Sequence, residues 1–457
     1  MHTQLVVVGG GLAGFAAALS AAEAGMEVLL LEKTADTGGS SAMSGGCLAF
    51  AGTDLQAAAG IADSADLLRR DLLEVGKGEA DPALVDAYVS LQQATYDWLK
   101  SHGVVFSPVI EAASGQSVPR VHTVDPADMV RCLAAAAQKS GKVGVLASTR
   151  ALRLLRDPVS GRVTGLTAQG PAGEQTITAS AGVILASGGF VQDKALLHRY
   201  CPEYDEAIFI GGTGNEGDGL RMARALGADM RDMVYIKGTF GKHPIDETNH
   251  HACLAVYKGA IAVNQDGLRF VDESISYKLL GDACMRQPYH MAYQILDRDI
   301  MESGDNRVRI LDFERRLEEG LFVEADTLEE LARLIEIPEA VLLKTVAGYN
   351  AAVATGHDEL FGRRHLVHKH GALRPIARGP YYAYPSTAVV FGTYCGLTVN
   401  AGMQVLDVFG EPIQGLLAAG EVVGGLHGAA YMTGSALGKA AIFGRIAART
   451  AVAQKQE

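Results

Sequence analysis

Short apolar, β-branched runs alternate with alanine-rich helical stretches along this chain, and the alternation is clearest at the N-terminus. The apolar run at residues 4–8 is followed directly by glycines and then by a helical stretch that continues to Gly25. A second apolar run at residues 28–31 ends in Glu32. A strand, a glycine-rich turn, a helix and a second strand in this order predict a βαβ unit of a parallel sheet.

The turn after the first strand has the spacing Gly-x-Gly-x-x-Gly, which is typical of dinucleotide binding in this context. Gly9 permits the tight turn, Gly11 lets the backbone approach a pyrophosphate, and Gly14 allows close packing of the helix on the strand. Glu32 is placed to accept a hydrogen bond from a ribose hydroxyl. A purely structural glycine-rich turn is the alternative that this order of elements disfavours.

Three further glycine-rich segments favour FAD over a nicotinamide cofactor. The loop at residues 38–46 is rich in glycine and hydroxyl groups, which suits a cofactor with a long ribityl chain. The apolar runs at 183–190 and 415–421 also contain glycines where the chain would pass close to the cofactor, and Glu421 is a candidate partner for ribityl hydroxyls. Because the loop 38–46 holds no histidine or cysteine, we expect FAD to be bound non-covalently; Cys47 lies just past it.

A late segment indicates what the flavin is used for. Residues 429–438 form a glycine-rich turn that leads into an alanine-rich helix predicted over residues 435–450. The N-terminus of such a helix directs N–H groups and the positive end of its dipole at whatever lies in front of it. If that is the isoalloxazine ring, Tyr431 and the Gly434 N–H lie beside it as hydrogen-bond donors. From this segment alone, a buried helix start with a packed tyrosine remains an equal alternative.

Length and charge restrict the classes of function. A chain of 457 residues is best read as two domains, and its net charge of −12 without a basic stripe argues against nucleic acid and anionic membranes as partners.

Six scattered cysteines without a C-x-x-C pair favour a reducing compartment and argue against a metal site. No signal-peptide pattern is visible, and no apolar run approaches the roughly 20 residues that span a bilayer. We therefore expect a soluble, cytoplasmic protein without metal.

The pattern along the chain predicts an α/β fold with one insertion. Residues 50–145 look mainly helical, and residues 146–190 look like β-hairpins. From residue 235 to 360 glycine becomes rarer and charge rises. We predict a Rossmann-like FAD-binding domain, formed by residues 1–234 and 361–457, with an inserted α+β capping domain at 235–360.

Several segments together resemble the fumarate reductase/succinate dehydrogenase flavoprotein superfamily, which also contains the 3-ketosteroid dehydrogenases. These segments are residues 38–41, 186–190, 264–273 and 415–420, and the resemblance spans nearly the whole chain. It implies that a capping domain closes over the re face of FAD.

The chain differs from the dicarboxylate enzymes of this superfamily, which use arginines and histidines to bind two carboxylates and deliver a proton. Tyr431 stands where their C-terminal motif has an arginine, and Tyr277 stands where their proton-donating arginine lies. Gly392 stands where the dicarboxylate enzymes have a histidine. A site without these cations is expected to bind a dicarboxylate badly, so fumarate reduction is disfavoured.

The tyrosines instead resemble the ketosteroid dehydrogenase branch. This resemblance implies that Tyr277, as a phenolate, removes an α-proton, while the Tyr431 hydroxyl and the Gly434 N–H polarise the ketone carbonyl. Tyr394 is expected to support them, and an ordinary half-buried aromatic residue is an equal alternative for it. The same alternative is disfavoured for Tyr277 and Tyr431. The favoured function is FAD-dependent desaturation of a cyclic or steroid-like ketone to its α,β-unsaturated ketone, with hydride transfer from the β-carbon to flavin N5.

Two other functions stay open at this point. One is a fumarate-reductase-like flavin reductase or dehydrogenase of a carboxylate substrate. Within the favoured function, the ketone could also bear a carboxylate, for which Lys237, Lys242 or Arg286 of the insert would be the partner. The other is a flavin subunit that only relays electrons within a larger complex. The ketone and the electron acceptor are not identified by the sequence, and His250 and His251 are expected to be surface residues.

The substrate-side residues are thus expected to be Tyr277, Tyr394, Tyr431 and Gly434. The residues expected to contact FAD share glycine-rich, hydroxyl-bearing or strand-end positions. They are Gly9, Gly11, Leu12, Ala13, Gly14, Glu32, Lys33, Gly39, Ser40, Ser41, Ser44, Gly45, Gly46, Ala186, Ser187, Gly188, Gly189, Asn215, Asp218, Gly420, Glu421, Ser435, Ala436 and Leu437.

Overall fold

A computed structural model of the chain describes residues 1–205, 207–245 and 252–456, apart from the side chains of Lys237 and Gln456. His250 and His251 lie outside the described residues. The strands are β1 (His2–Val8), β2 (Val28–Leu31), β3 (Cys47–Ala49), β4 (Phe106–Glu111), β5 (Val121–Val124), β6 (Val143–Leu146), β7 (Arg150–Arg156), β8 (Val163–Gly170), β9 (Gly173–Leu185), β10 (Ile208–Phe209), β11 (Met230–Arg231), β12 (Ile236–Lys242), β13 (Ile261–Val263), β14 (Met291–Asp297), β15 (Val323–Ala325), β16 (Tyr381–Thr393), β17 (Gly396–Leu397), β18 (Gln404–Leu406) and β19 (Pro412–Ala418). The helices are α1 (Leu12–Glu23), α2 (Gly39–Met43), α3 (Asp54–Ala58), α4 (Ala65–Val75), α5 (Pro82–Ser101), α6 (Pro126–Lys139), α7 (Lys194–Tyr200), α8 (Asp218–Arg224), α9 (Tyr277–Met285), α10 (Arg298–Met301), α11 (Phe313–Glu318), α12 (Leu328–Leu334), α13 (Glu339–Thr355) and α14 (Ser435–Gln456).

The main sheet has the strand order β18-β19-β9-β1-β2-β6, with the β7–β8 pair joined to β9. β1 runs parallel to both β2 and β9, and β19 runs parallel to β9. The apolar residues Leu5, Val6 and Val7 of β1 are completely buried, as expected for a central parallel strand covered on both faces. The predicted βαβ unit and the predicted antiparallel hairpins of 146–190 are both confirmed.

The turn between β1 and α1 explains two of the glycines. Gly9 has a φ of +113°, and a Cβ there would lie 2.2 Å from the Ala186 carbonyl oxygen. A Cβ on Gly14 would lie 1.8 Å from the Gly9 carbonyl oxygen. Only glycine fits at these positions, because the helix and two strand ends approach each other through their backbones.

A second sheet is built around β16, which pairs with β10, β12, β14 and β15, while β13 pairs with β14. We call the described residues between 236 and 393 the cap. The cap has its own apolar core, which includes Ile261, Ile295 and Tyr384. β16 lies beyond residue 360, so strand pairing joins residues 381–393 to the insert; the domain division at 235 and 360 stays a prediction.

The region from 50 to 145 is less uniformly helical than its pattern predicts. It contains α3 to α6, but β4 and β5 also form a three-stranded sheet with β3. The rings of Phe50, Tyr96, Phe106 and His122 pack against one another across this sheet. These strands are short and are fixed by contacts between distant segments, which local periodicity does not encode.

No helix in the described ranges is long and apolar enough to cross a membrane. Within the same ranges, no cluster of three or more His, Cys, Asp or Glu side chains could hold a metal ion. All six cysteines are described and none forms a disulfide.

Candidate active site

A cavity of about 550 Å³ extends from the carboxyl ends of β1 and β2 to the cap. The loop 34–45 and the start of α14 form its walls on the side of the main sheet. Cap residues close its other end, among them Thr239, Phe240, Ala252, Leu254, Tyr277, Arg309 and Ile310. The cavity therefore joins the predicted cofactor segments to the predicted substrate side.

Most of the residues predicted to contact FAD line this cavity. They are Gly9, Gly11, Leu12, Ala13, Glu32, Lys33, Gly39, Ser40, Ser41, Ser44, Gly45, Ala186, Ser187, Gly188, Asn215, Asp218, Gly420, Glu421, Ala436 and Leu437. Gly14, Gly46, Gly189 and Ser435 do not. A Cβ on Gly46 would lie 2.0 Å from a backbone oxygen, and one on Gly189 would lie 2.4 Å from the Glu421 carboxylate. The Ser435 hydroxyl donates to a backbone oxygen of its own turn at 2.7 Å. At these four positions the structure shows close packing and turn geometry, and a contact with FAD stays a prediction.

The Glu32 carboxylate is held firmly at the end of β2. It accepts the Gly10 N–H at 2.8 Å and both the N–H and the hydroxyl of Thr34, each at 2.8 Å. Gly10 and Thr34 also line the cavity and were not singled out from the sequence. The contact between Glu32 and a ribose hydroxyl stays a prediction.

Charged side chains also lie around the cavity near the end of β2. The Lys33 ammonium lies 2.8 Å from the Glu216 carboxylate and 2.9 Å from the Asp218 carboxylate. Arg150 lies 2.6 Å from Asp218. Asp218 thus has three cationic partners in the described part of the chain, since Arg221 lies 3.9 Å away, and its contact with FAD stays a prediction.

Glu421 joins three segments that are far apart in the sequence. Its carboxylate accepts the Thr393 N–H at 2.8 Å and an N–H of the Asn215 side-chain amide at 3.2 Å. The same amide donates to the Ser40 hydroxyl at 2.9 Å. These bonds place hydroxyl, amide and carboxylate groups side by side along the cavity wall.

The residues present fit FAD. The Ser187 hydroxyl lines the cavity, is buried and has no hydrogen-bond partner in the described part of the chain. A Cβ on Gly188 would lie 2.4 Å from the Asn215 side chain, and one on Gly212 would lie 2.8 Å from the Ser40 backbone nitrogen. A long wall of close-packed backbone with buried polar groups suits an elongated, polar cofactor.

Lys439 is a cation of the cavity wall that sequence reasoning missed. It lies in α14, is 2% exposed, and its ammonium donates to the Val423 carbonyl oxygen at 2.8 Å. Burial lowers the pKa of Lys439 to about 8, although Glu421 and Asp232 act in the opposite direction. A lone lysine within an alanine-rich helix was the only signal in the sequence.

Four aromatic rings meet at the cap side of α14. The Tyr394 and Tyr431 rings are stacked, with centroids 4.8 Å apart and planes at 12°. Tyr277 meets Tyr431 edge to face at 5.4 Å, and His427 lies 4.8 Å from Tyr394. All four line the cavity. Tyr394 was expected to act only in support, but it lies in the cavity wall beside the other two tyrosines.

Backbone contacts fix the positions of these rings. Tyr277 is the first residue of α9, and its N–H donates to the Ser114 hydroxyl at 3.1 Å. The Ser276 hydroxyl donates to the Tyr431 carbonyl oxygen at 3.0 Å. The cap helix and the turn before α14 are thereby tied together.

The Gly434 N–H makes a hydrogen bond within its own turn. Its N–H donates to the Tyr431 hydroxyl oxygen at 3.2 Å, and Gly434 does not line the cavity. The turn bends back on itself there, with a φ of +90° at Gly434, so the N–H is directed at the tyrosine. Gly434 therefore positions the Tyr431 hydroxyl, and its role as a second carbonyl donor stays a prediction.

Burial governs the ionisation of Tyr277. Burial raises the pKa of Tyr277 well above its usual value, and the neighbouring Tyr431 adds to the increase. Burial likewise raises the pKa of Tyr394. Burial therefore favours the neutral phenol, and the role of Tyr277 as a phenolate base stays a prediction that requires alkaline conditions.

Two of the three cap cations that were predicted to bind a carboxylate are not in the cavity wall. Lys242 and Arg286 do not line the cavity, and the Lys237 side chain is outside the described residues. Arg309, which the sequence did not single out, does line it.

Comparison with known proteins agrees with this architecture. The chain is 34% identical to the urocanate reductase of Eggerthella lenta, over 98% of this chain and 74% of that protein. The fold superimposes on an open conformation of a flavocytochrome c3 fumarate reductase with a TM-score of 0.79 and 30% identity, covering 100% of this chain and 79% of that one. It also superimposes on a 3-ketosteroid Δ4-(5α)-dehydrogenase from Rhodococcus jostii RHA1 with a TM-score of 0.80 and 26% identity, covering 99% and 97%.

Residues 4–437 match the sequence profile of a family described as FAD binding domain. The relatives are FAD-dependent oxidoreductases, both reductases and dehydrogenases, that act on carbon–carbon bonds. The chain therefore belongs to this FAD-binding family of the fumarate reductase/succinate dehydrogenase flavoprotein superfamily, and it is an FAD-dependent oxidoreductase acting on CH–CH bonds.

Proposed function

We propose that the protein interconverts a cyclic or steroid-like ketone and its α,β-unsaturated ketone. The observation that carries this proposal is the meeting of Tyr277, Tyr394 and Tyr431 in the cavity that the FAD-binding segments share. When bound, FAD supplies the acceptor or donor of the hydride exchanged with the β-carbon. The protein must then bind the carbonyl group and move one proton at the α-carbon.

Tyr431 is suited to bind the carbonyl. Its hydroxyl oxygen accepts the Gly434 N–H, which fixes the position of the hydroxyl group in the cavity wall. The stacked Tyr394 ring fixes the plane of the Tyr431 ring. A donor held in place before the reaction stabilises the negative charge that develops on the carbonyl oxygen, and the α-hydrogen becomes more acidic as a result.

Tyr277 is suited to move the proton. In the direction of reduction, the neutral phenol gives its proton to the α-carbon and becomes a phenolate that is reprotonated from solvent. In the direction of desaturation, the phenolate removes the α-proton. Because burial favours the neutral phenol, the group is ready for reduction at neutral pH, whereas desaturation requires alkaline conditions.

A second candidate function is reduction of an alkene that carries a carboxylate. Arg309 in the cavity wall favours it, since a guanidinium can bind a carboxylate through two hydrogen bonds. The similarity to a urocanate reductase also supports it. Tyr431 and Gly392 count against it, because both stand where the dicarboxylate enzymes have charged or imidazole groups.

Exchange of α-hydrogens for deuterium tests the proposal without requiring net turnover. FAD-loaded protein should exchange the α-hydrogens of cyclic ketones in deuterated water, and Tyr277→Phe should lose this exchange while retaining FAD. Tyr349→Phe is the matched control, since Tyr349 is a buried cap tyrosine that does not line the cavity. Persistent exchange in Tyr277→Phe, or oxidation of the reduced protein by urocanate and by no enone, would count against the proposal.

A further inference from the structure

We propose that Lys439 tunes the reduction potential of the bound FAD, because its ammonium stabilises the negative charge that the flavin gains on reduction. Hydride transfer oxidises the substrate and brings two electrons and one proton to FAD, so the reduced cofactor is more negative by one charge. A protein controls a flavin chiefly through charges and hydrogen bonds near its ring. The inference goes beyond the proposed ketone activity, since every substrate of the protein exchanges electrons with the same flavin.

Lys439 lies in the part of α14 that faces the cavity. The helix begins at Ser435, and Ala436, Lys439 and Ala440 all line the cavity. Tyr431 lines it just before the helix begins. This is the place where the isoalloxazine ring is predicted to lie. A helix directs the positive end of its dipole out of its N-terminus, so the ammonium adds a full charge to a wall that is already positive.

The ammonium is a buried charge that makes no ion pair with a described residue. Lys439 is 2% exposed, and the Val423 carbonyl oxygen accepts one of its N–H groups at 2.8 Å. Glu421 and Asp232 act on the ammonium only through space. An ammonium has three N–H donors, and a buried charge is costly unless a partner compensates it. In the wall of a cofactor cavity, the compensating group is the bound cofactor.

The two nearby carboxylates have partners of their own. Asp232 accepts the Gly425 N–H at 2.7 Å, and its carboxylate lies 3.7 Å from the Arg231 guanidinium. Glu421 is held in the cavity wall by N–H donors. Burial lowers the pKa of Lys439 to about 8, so the ammonium is still charged at neutral pH. Its charge is therefore available to a reduced flavin.

Substitution of Lys439 separates its charge from its hydrogen bond. Lys439→Gln removes the charge and keeps an N–H donor for the Val423 carbonyl oxygen, whereas Lys439→Arg keeps the charge. The potential is measured at neutral pH by anaerobic spectral titration of the FAD-loaded proteins against a reference dye. Lys439→Gln should lower the equilibrium constant for two-electron reduction roughly tenfold, which corresponds to about 30 mV. Lys439→Arg should stay close to the unaltered protein, and Lys439→Met is a second neutral variant.

The affinity for FAD gives an independent measurement of the same effect. By linkage, a group that favours reduction of the cofactor strengthens the binding of reduced FAD over oxidised FAD by the same factor. Anaerobic ultrafiltration measures the release of both forms. Lys439→Gln should weaken the binding of reduced FAD roughly tenfold relative to that of oxidised FAD. A residue that only supports the fold would weaken the binding of both forms alike.

Arg449→Gln is the control, because it removes one positive charge from an exposed position of the same helix outside the cavity. It should leave the potential unchanged, since it lies about 15 Å further along the helix axis. An unchanged potential in FAD-loaded Lys439→Gln, or an equal fall in Lys439→Arg, would overturn the inference. A potential that depends on Lys439 in a protein that oxidises no ketone would support the inference and refute the ketone activity.

Discussion

Raising the pH should accelerate ketone desaturation about tenfold per pH unit between about pH 7 and 10, without a plateau. The reason is that desaturation needs the phenolate of Tyr277. The pKa of a tyrosine is ordinarily about 10. Burial and the neighbouring Tyr431 raise the pKa of Tyr277 further, so the phenolate fraction keeps rising through this range. Enone reduction uses the neutral phenol and should stay level over the same range.

Anaerobic rapid mixing of FAD-loaded protein with saturating ketone measures this rate at each pH, and circular dichroism checks that the fold survives. Tyr277→Phe should remove the pH dependence and slow the step by roughly 10²- to 10⁴-fold, the usual contribution of a positioned acid or base. Tyr349→Phe should keep the slope. A plateau below about pH 8, or the same slope in Tyr277→Phe, would show that another group takes the proton.

Other substitutions test the remaining roles. Tyr431→Phe should lower turnover by about 10²- to 10³-fold and weaken ketone binding, since it removes the carbonyl donor, and steady-state kinetics that match the unaltered protein would contradict this. Gly14→Ala should yield protein without FAD, because the new Cβ would lie 1.8 Å from a backbone oxygen; full FAD content after gel filtration would refute it. Arg120→Ala should cost about 3–5 kcal/mol of unfolding free energy in urea, because Asp63 and Asp71 would lose their buried partner. Acid precipitation should release all flavin colour into the supernatant, and colour retained on the protein would contradict non-covalent binding.

The parts of the fold that the sequence predicts are those encoded locally. The glycines at 9 and 14 and the apolar run of β1 specify a strand, turn and helix by steric demands between near neighbours. The family match then confirms FAD as the cofactor. The placement of β16 in the second sheet, by contrast, depends on pairing with β12 and β14, which lie about 90 to 150 residues earlier in the chain.

The site is less predictable for the same reason. Tyr277 and Tyr431 were identified from motifs, but the raised pKa of Tyr277 arises from burial that only the assembled cavity creates. Arg309 and Lys439 carry no motif, and their place in the cavity wall follows from the contact between cap and main sheet. Gly434 was identified, yet the direction of its N–H depends on how the turn closes on Tyr431.

Anaerobic titration of the oxidised, FAD-loaded protein with cyclic ketones tests the central claim most directly. The flavin absorbance is followed at alkaline pH, where Tyr277 can ionise, and the product is identified by mass spectrometry. We predict that a ketone bleaches the flavin with one α,β-unsaturated ketone formed per FAD, and that succinate does not. Bleaching by succinate, or rapid oxidation of the reduced flavin by fumarate with no reaction of any ketone or enone, would contradict the account.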